Sequence, residues 1–377
     1  MKLKLIYGLS FIIIRIVGLF TRVKKNNVLF LSVTRTKIGG NLEMMDKIIP
    51  KDKYNKKYFL IDEDKSKFNI REKIEMSKLI CSSEYILLDD FCAMISFMKV
   101  KKNQKVIQLW HGPGAYKKFG LSRQDKNPGY IKRMLTHKNY TASIVTSESV
   151  RWCYAEGFGM DINNVYATGY PRTDIFFDKK YISNVRKNFF NQYKEFNNKK
   201  IITFAPTYRG VSLAKSYYDY DKLDVDKVYK ELHDDYIFIV KLHPGLRNTK
   251  EKEKFLESIK KYPDFYYDFS NYRDINDILL ITDVLVTDYS SVIFDYLLVN
   301  KPIVYFAYDL DEYKNNRGLY FDLNEYIYGE ISKNTNELIK SIKNENMSKD
   351  KRKIFNEKFM NSCDGNSSKR TFETFFK

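Results

Sequence analysis

Short runs of β-branched and aromatic residues recur along the chain, separated by polar stretches long enough for helices. In the first half these runs are Asn27–Val33, Lys57–Ile61, Tyr85–Leu88, Lys105–Leu109, Ala142–Thr146 and Val165–Thr168. The second half repeats the pattern at Ile201–Phe204, Tyr236–Lys241, Val284–Thr287 and Ile303–Phe306. Apolar runs of this length suit strands buried on both faces, and segments such as Arg71–Leu79 have the length of crossover helices. The alternation predicts an α/β protein with parallel sheets. Tyr193–Lys200 (YKEFNNKK) is polar and stands where the pattern restarts. It predicts a linker between two α/β domains, 23–192 and 201–345. The charged tail, 346–377, predicts a helix or two on the surface.

The N-terminus breaks the pattern. Leu5 to Phe20 is almost wholly apolar behind a basic start, but Arg15 interrupts it and no small-x-small cleavage site follows. As a helix it would reach roughly 24 Å, short of the ~30 Å hydrocarbon core. On a helical wheel Lys4, Arg15 and Arg22 fall within about 20° of one another. An apolar helix with a narrow basic stripe predicts a membrane-associating segment over 1–22, lying in the plane of the membrane. A helix buried against the first domain would carry the same apolar run.

Composition narrows the partners. The 377 residues carry a net charge of +18, which favours phosphorylated substrates or an anionic membrane surface. No basic stripe interleaved with aromatics is apparent, so nucleic acid is not expected. Cys81, Cys92, Cys153 and Cys363 form no CxxC pair, and no histidine stands at metal spacing. That pattern predicts a reducing compartment, with no metal and no cofactor.

Candidate chemistry sits at the ends of the predicted strands, where ligands bind in open α/β sheets. Gln108-Leu109-Trp110-His111-Gly112 and Lys241-Leu242-His243-Pro244-Gly245 each place a histidine just past a strand. His111 suits a general base, and His243 can donate to a phosphate oxygen or leaving group. Val284–Ser291 reads as strand and turn, and Val292–Leu298 as the helix that follows. The hydroxyls of Ser290 and Ser291, with free N–H groups at the helix start, suit a phosphate, although serine is also an ordinary N-cap. Arg209 in Ala205–Gly210 and Arg172 in Gly169–Asp174 could clamp anionic oxygens, or pair with nearby acids. Thr207, Asp288, Lys241 and Arg317 complete the candidate set; His137 and His233 are assigned no role.

Taken in order, these blocks, with Thr146–Glu148 and the segment from Tyr308 to Asp322, resemble the CDP-glycerol glycerophosphotransferase family. The resemblance spans roughly Val28 to Asp322. It implies a GT-B architecture of two Rossmann-type domains facing a cleft. It further implies transfer of a polyol phosphate, glycerol phosphate foremost, from CDP-glycerol or CDP-ribitol with release of CMP. The acceptor would be an undecaprenyl-diphosphate-linked saccharide or a growing polyol-phosphate chain, reached by a peripheral enzyme on the cytoplasmic face of the membrane. In the family's pattern His111 is the base, His243 supports the donor phosphate, and Ser290 and Ser291 bind the diphosphate. The Gly114-Ala115-Tyr116 sequence after Trp110-His111-Gly112-Pro113 looks more like the priming branch, and the chain length leans toward limited addition. A GT-B glycosyltransferase using a nucleotide sugar is the alternative the same blocks would serve.

Overall fold

The apolar runs become the strands of two six-stranded sheets in the computed structural model, which describes residues 2–61, 69–123, 137–210, 216–243, 245–246, 249–272, 274–322 and 324–376. The first sheet holds β1 (Lys24–Ser32), β2 (Asn55–Leu60), β3 (Ser83–Leu88), β4 (Lys105–Gln108), β5 (Ala142–Ile144) and β6 (Val165–Tyr166). The second holds β7 (Lys200–Phe204), β8 (Tyr236–Val240), β9 (Tyr266–Asp268), β10 (Val284–Thr287), β11 (Ile303–Phe306) and β12 (Glu330–Ser332). Every pairing is parallel. Central strands such as Leu29–Leu31, Ile237–Val240 and Val284–Val286 are buried, because helices cover both faces.

Strand order fixes where ligands can sit. The first sheet runs β2-β1-β3-β4-β5-β6 and the second β12-β11-β10-β7-β8-β9. In each, the winding direction reverses once, between β1 and β3 and between β7 and β10. The loops leaving those strands diverge, and the crevice they open is the usual binding position of a doubly wound sheet. β9 and β12 were not foreseen. Both are three-residue edge strands, too short and too polar to register as apolar runs.

Three segments differ from expectation. The C-terminal tail forms helices Lys349–Phe359 and Ser367–Phe375, but it is no surface appendage. Phe355, Phe359, Met360, Cys363, Phe375 and Phe376 are buried in one core with Tyr116 of the first sheet's loops and Phe294 beside the second. Phe355 and Phe359 stand four residues apart, so they share one inward helix face that the surrounding lysines obscure in a count of charges. The Tyr193–Lys200 linker is likewise anchored: Phe196 is fully buried, in a cluster with Phe189 and Phe269.

The N-terminal helix Lys2–Phe20 packs on the first domain with one face only. Ile14 is buried, its carbonyl 3.9 Å from Cys81 Sγ, and Phe11 meets Phe97 edge-on at 6.0 Å. Leu9, Ile12, Ile16, Leu19 and Phe20 are exposed. The side chain of Lys4 lies outside the described residues and Arg22 lies beyond the helix, so the described stripe is Arg15, 5.1 Å over the Phe11 ring. Among the described residues no helix is long and apolar enough to cross a membrane.

Candidate active site

The loop after β4 presents His111 by force of backbone geometry. Trp110 adopts a left-handed conformation (φ 53°), costly for a bulky residue, and the surroundings hold it there. Gln108 Oε1 accepts from Trp110 N at 2.9 Å. Asn41 Nδ2 donates to the carbonyls of Leu109 and Trp110 at 3.0 and 2.9 Å. The indole packs against Phe119, Phe158 and His137, and the His111 ring stacks on it at 4.5 Å.

His111 Nδ1 lies 3.1 Å from the carbonyl oxygen of Asp89. A carbonyl only accepts, so in the neutral ring Nδ1 holds the proton and Nε2 carries a bare lone pair. The Asp90 carboxylate is 3.6 Å from Nδ1, placed to stabilise an imidazolium once one forms. The histidine side chain is 49% exposed, so a reactant can reach it.

His243, past β8, has the opposite arrangement. Its Nδ1 accepts a hydrogen bond from Gly245 N at 2.9 Å, which puts the proton of the neutral ring on Nε2. The ring faces Tyr208 at 5.0 Å and is open to cleft water on one side, with protein packed around the rest. Burial, with Lys117, His111 and Lys241 repelling positive charge, pushes its pKa down to about 4. The direction agrees with the Gly245 bond, which requires an unprotonated Nδ1.

The two domains meet at this point. Gly112 faces Ser291 so closely that a Cβ there would stand 3.8 Å from the serine Oγ. Gly114 (φ +63°) has no alternative: a Cβ would lie 2.3 Å from the Phe294 ring. Thr146 Oγ1 fixes this turn, accepting from Gly114 N at 3.0 Å and donating to the Phe359 carbonyl at 2.6 Å. Lys117 Nζ reaches across to Thr207 Oγ1 at 3.0 Å. Lys118 N donates to the Gly318 carbonyl at 3.1 Å, and Tyr320 N to the Tyr116 carbonyl at 2.8 Å, joining the loop to the second domain.

In the second domain, Ser291 precedes helix Val292–Val299, its side chain making no capping bond, and Ser290 Oγ lies 3.4 Å from Val292 N. Thr207 N donates to Asp288 Oδ1 at 3.0 Å, tying the loop after β7 to the loop after β10. Arg209 is engaged inside the protein. It donates to Asp309 through Nε and Nη2 (2.7 and 2.8 Å) and to Asp288 and the Thr207 carbonyl through Nη1 (both 2.7 Å). The rings of Tyr218, Tyr289, Tyr308 and Tyr313 surround it. Burial opposes its charge, yet the two aspartates hold it above its ordinary pKa. Arg209 and the fully buried Asp288 therefore brace the loop from behind.

Two other predicted cations are also occupied. Lys241 Nζ donates to the carbonyls of Ser270 and Tyr272 at 2.9 and 3.0 Å. Arg172 Nη2 pairs with Asp295 Oδ2 at 2.5 Å, and its backbone N donates to Asn41 Oδ1 at 3.0 Å. Burial pushes the Asp295 carboxyl up to about 6 against the pull of Arg172. Arg317 ends helix Leu310–Arg317, and its side chain lies outside the described residues, as does Pro244. His137 is buried beside Tyr140, and His233 lies against the Tyr229 carbonyl. The sequence reading missed Asn41, Asp89, Asp90 and Lys117. Asp89-Asp90 directly follow the apolar run of β3, the same strand-end signal that singled out both histidines.

The chain is 40% identical over 353 residues to the teichoic acid poly(ribitol-phosphate) polymerase of Bacillus spizizenii, covering 93% of this chain and 56% of that protein. It is 33% identical over 363 residues to the teichoic acid ribitol-phosphate polymerase TarL of Staphylococcus aureus, covering 95% and 64%. The chain thus spans a little over half to under two thirds of the length of these relatives. A structure of the wall teichoic acid polymerase TagF, a variant soaked with CDPG, superposes with a TM-score of 0.75 at 25% identity, covering 93% of this chain and 88% of that one. The family profile described as CDP-glycerol:poly(glycerophosphate) glycerophosphotransferase matches residues 13–377, and the chain belongs to that family.

Proposed function

We propose that this chain transfers a polyol phosphate from a CDP-linked polyol to a hydroxyl of a lipid-linked acceptor or growing polyol-phosphate chain, releasing CMP. The observation that carries the reading is the opposed protonation of the two cleft histidines. His111 offers a bare Nε2 to an incoming hydroxyl, and His243 offers an Nε2–H to an oxygen that gains charge. His111 Nε2 takes the acceptor's proton as its oxygen attacks the donor's β-phosphorus. The new P–O bond forms as the bond to the bridging oxygen breaks, and that electron pair leaves with CMP. His243, the Ser290 and Ser291 hydroxyls and the start of helix Val292–Val299 stabilise the charge on the transferring group. Asp90 supports the imidazolium, while Arg209 and Asp288 keep Thr207 in place.

The relatives' names support a polyol-phosphate donor, and two of them specify ribitol, so CDP-ribitol stands beside CDP-glycerol. Both are named polymerases, which runs against the expectation of limited addition. The exposed apolar face of helix Lys2–Phe20 supports docking on the membrane surface where a lipid-linked acceptor resides.

The test is incubation of the full chain with each donor and a short lipid-linked acceptor, read by mass spectrometry for added polyol phosphate and for CMP. His111→Ala should lower kcat by about 10²- to 10⁴-fold, the usual contribution of a general base. Near-normal turnover by that variant sinks the mechanism. Transfer of a sugar without added phosphorus would replace it with the glycosyltransferase reading.

A further inference from the structure

We propose that Arg35 is the anion receptor of the acceptor site, gripping a phosphate that neighbours the reacting hydroxyl on a chain end already carrying polyol phosphate. The inference rests on the function proposed above and adds to it what the acceptor must look like.

Position is the first argument. Arg35 lies just past β1 and Asp89 just past β3, the adjacent strands between which the winding of the first sheet reverses. These two residues therefore flank the crevice where a doubly wound sheet binds its ligand. The same crevice adjoins the base. The Asp89 carbonyl holds His111 Nδ1, and Asn41, in the first turn of helix Gly40–Ile48, holds the Trp110 carbonyl.

Availability is the second. Arg35 Nε sits 3.0 Å from Asp89 Oδ2, the arginine side chain 35% exposed and the aspartate 3%. Among the described residues neither Asp89 oxygen nor Arg35 Nε has a well-aligned hydrogen-bond partner, so the pair is held by charge and proximity. Only the Nε edge of the guanidinium is anchored. Its terminal nitrogens, unlike those of Arg209, form no ion pair among the described residues. They lie over the start of helix Gly40–Ile48: a Cβ on Gly40 would come 3.5 Å from Nη1 and 3.8 Å from Nη2. The N-cap, Gly39, supplies no side-chain bond to that helix end. A guanidinium fork and a positive helix terminus thus share one space beside the base.

The chemistry follows. A phosphodiester presents two charged oxygens in a plane that matches an arginine's outer edge. The carboxylates of Asp89 and Asp90, with Glu43 in the first turn of helix Gly40–Ile48, disfavour anions over the rest of this wall, which leaves the outer edge of the fork as the place for a phosphate. The Asp89 carbonyl on His111 Nδ1 puts the base at the same strand end as the fork, so a phosphate held there brings the hydroxyl of its own polyol unit to the base's side of the crevice. A neutral sugar end would leave the fork unfilled, so the site favours extending an existing chain over starting one.

The experiment measures CMP release by the full chain against two soluble acceptors, a polyol-phosphate dimer and the same dimer joined by a neutral ether. Wild type should show the lower KM for the phosphate-bearing acceptor. Arg35→Gln should raise that KM by on the order of 10- to 100-fold, the loss expected for a charged hydrogen-bonding fork. It should also erase the preference between the two acceptors, with the calorimetric Kd for the CDP-polyol unchanged. Arg35→Lys keeps the charge and the Asp89 partner, controls for folding, and should fall between. An unaltered acceptor KM in Arg35→Gln overturns the proposal. So does an equal fall in kcat on both acceptors, which would mean that Arg35 acts only through Asp89 on His111. If wild type releases no CMP from either donor with either acceptor, the proposed function fails, and this inference with it.

Discussion

The two cleft histidines differ because one backbone atom beside each fixes its proton. A carbonyl next to His111 Nδ1 and an amide next to His243 Nδ1 give identical side chains opposite tautomers, as the proposed base and donor require. For His243 this has a measurable consequence. Its pKa is about 4 in the fold against 6.5 when unperturbed, so between those values the unfolded chain binds a proton that the folded chain refuses. The stability from this residue is complete above about pH 6.5 and is lost as pH falls toward 4. Urea midpoints of wild type and His243→Gln, compared from about pH 7 down to about 4.5, should therefore converge or cross as pH falls. A gap that stays constant with pH would show that His243 is not depressed. Glutamine can also keep an N–H near the Nε2 position, so this variant should retain more turnover than His243→Ala.

Among elements, the central strands were legible because burial on both faces leaves an unbroken apolar run, as at Val284–Thr287 and Ile303–Phe306. The edge strands Tyr266–Asp268 and Glu330–Ser332 were not, since a short, partly solvated strand needs no such run. Both histidines, Thr207, Ser290 and Ser291 were singled out because strand ends are where ligands bind in such sheets, and the fold brings them to one cleft. The occupation of Arg209, Arg172 and Lys241 could not be found that way. Their partners Asp309, Asp295 and Ser270 are 100, 123 and 29 residues away, and only the tertiary fold pairs them. The N-terminal helix shows the same limit: its composition gave an apolar element, and packing decided which side is free. Leu19→Glu with Phe20→Glu, both exposed, should leave the melting temperature within a degree or two yet abolish flotation with anionic vesicles. Undiminished flotation would remove this helix from membrane docking.

At the scale of the whole molecule, two separately wound sheets are tied at the cleft by Lys117–Thr207, by the Gly114–Phe294 contact and by the buried Arg172–Asp295 pair. Removing one partner of a buried ion pair leaves an uncompensated charge, so Arg172→Met should destabilise by about 3 kcal/mol. Arg172→Met with Asp295→Leu should recover most of that loss, and denaturant melts of the four-member cycle measure it. Additive losses would show the pair uncoupled. The pairing of His111 with its neighbours would also set the rhythm of the proposed transfer. Each transfer would leave one proton on His111, and the ring must be emptied before the next hydroxyl can react. His243 is a poor store for that proton, because burial, and then Lys117, His111 and Lys241, lower its pKa. The way out is through the exposed edge of His111 to solvent. The pace of successive additions would then follow the supply of mobile bases in the medium, and product chains would grow longer in concentrated buffer than in dilute buffer at the same pH.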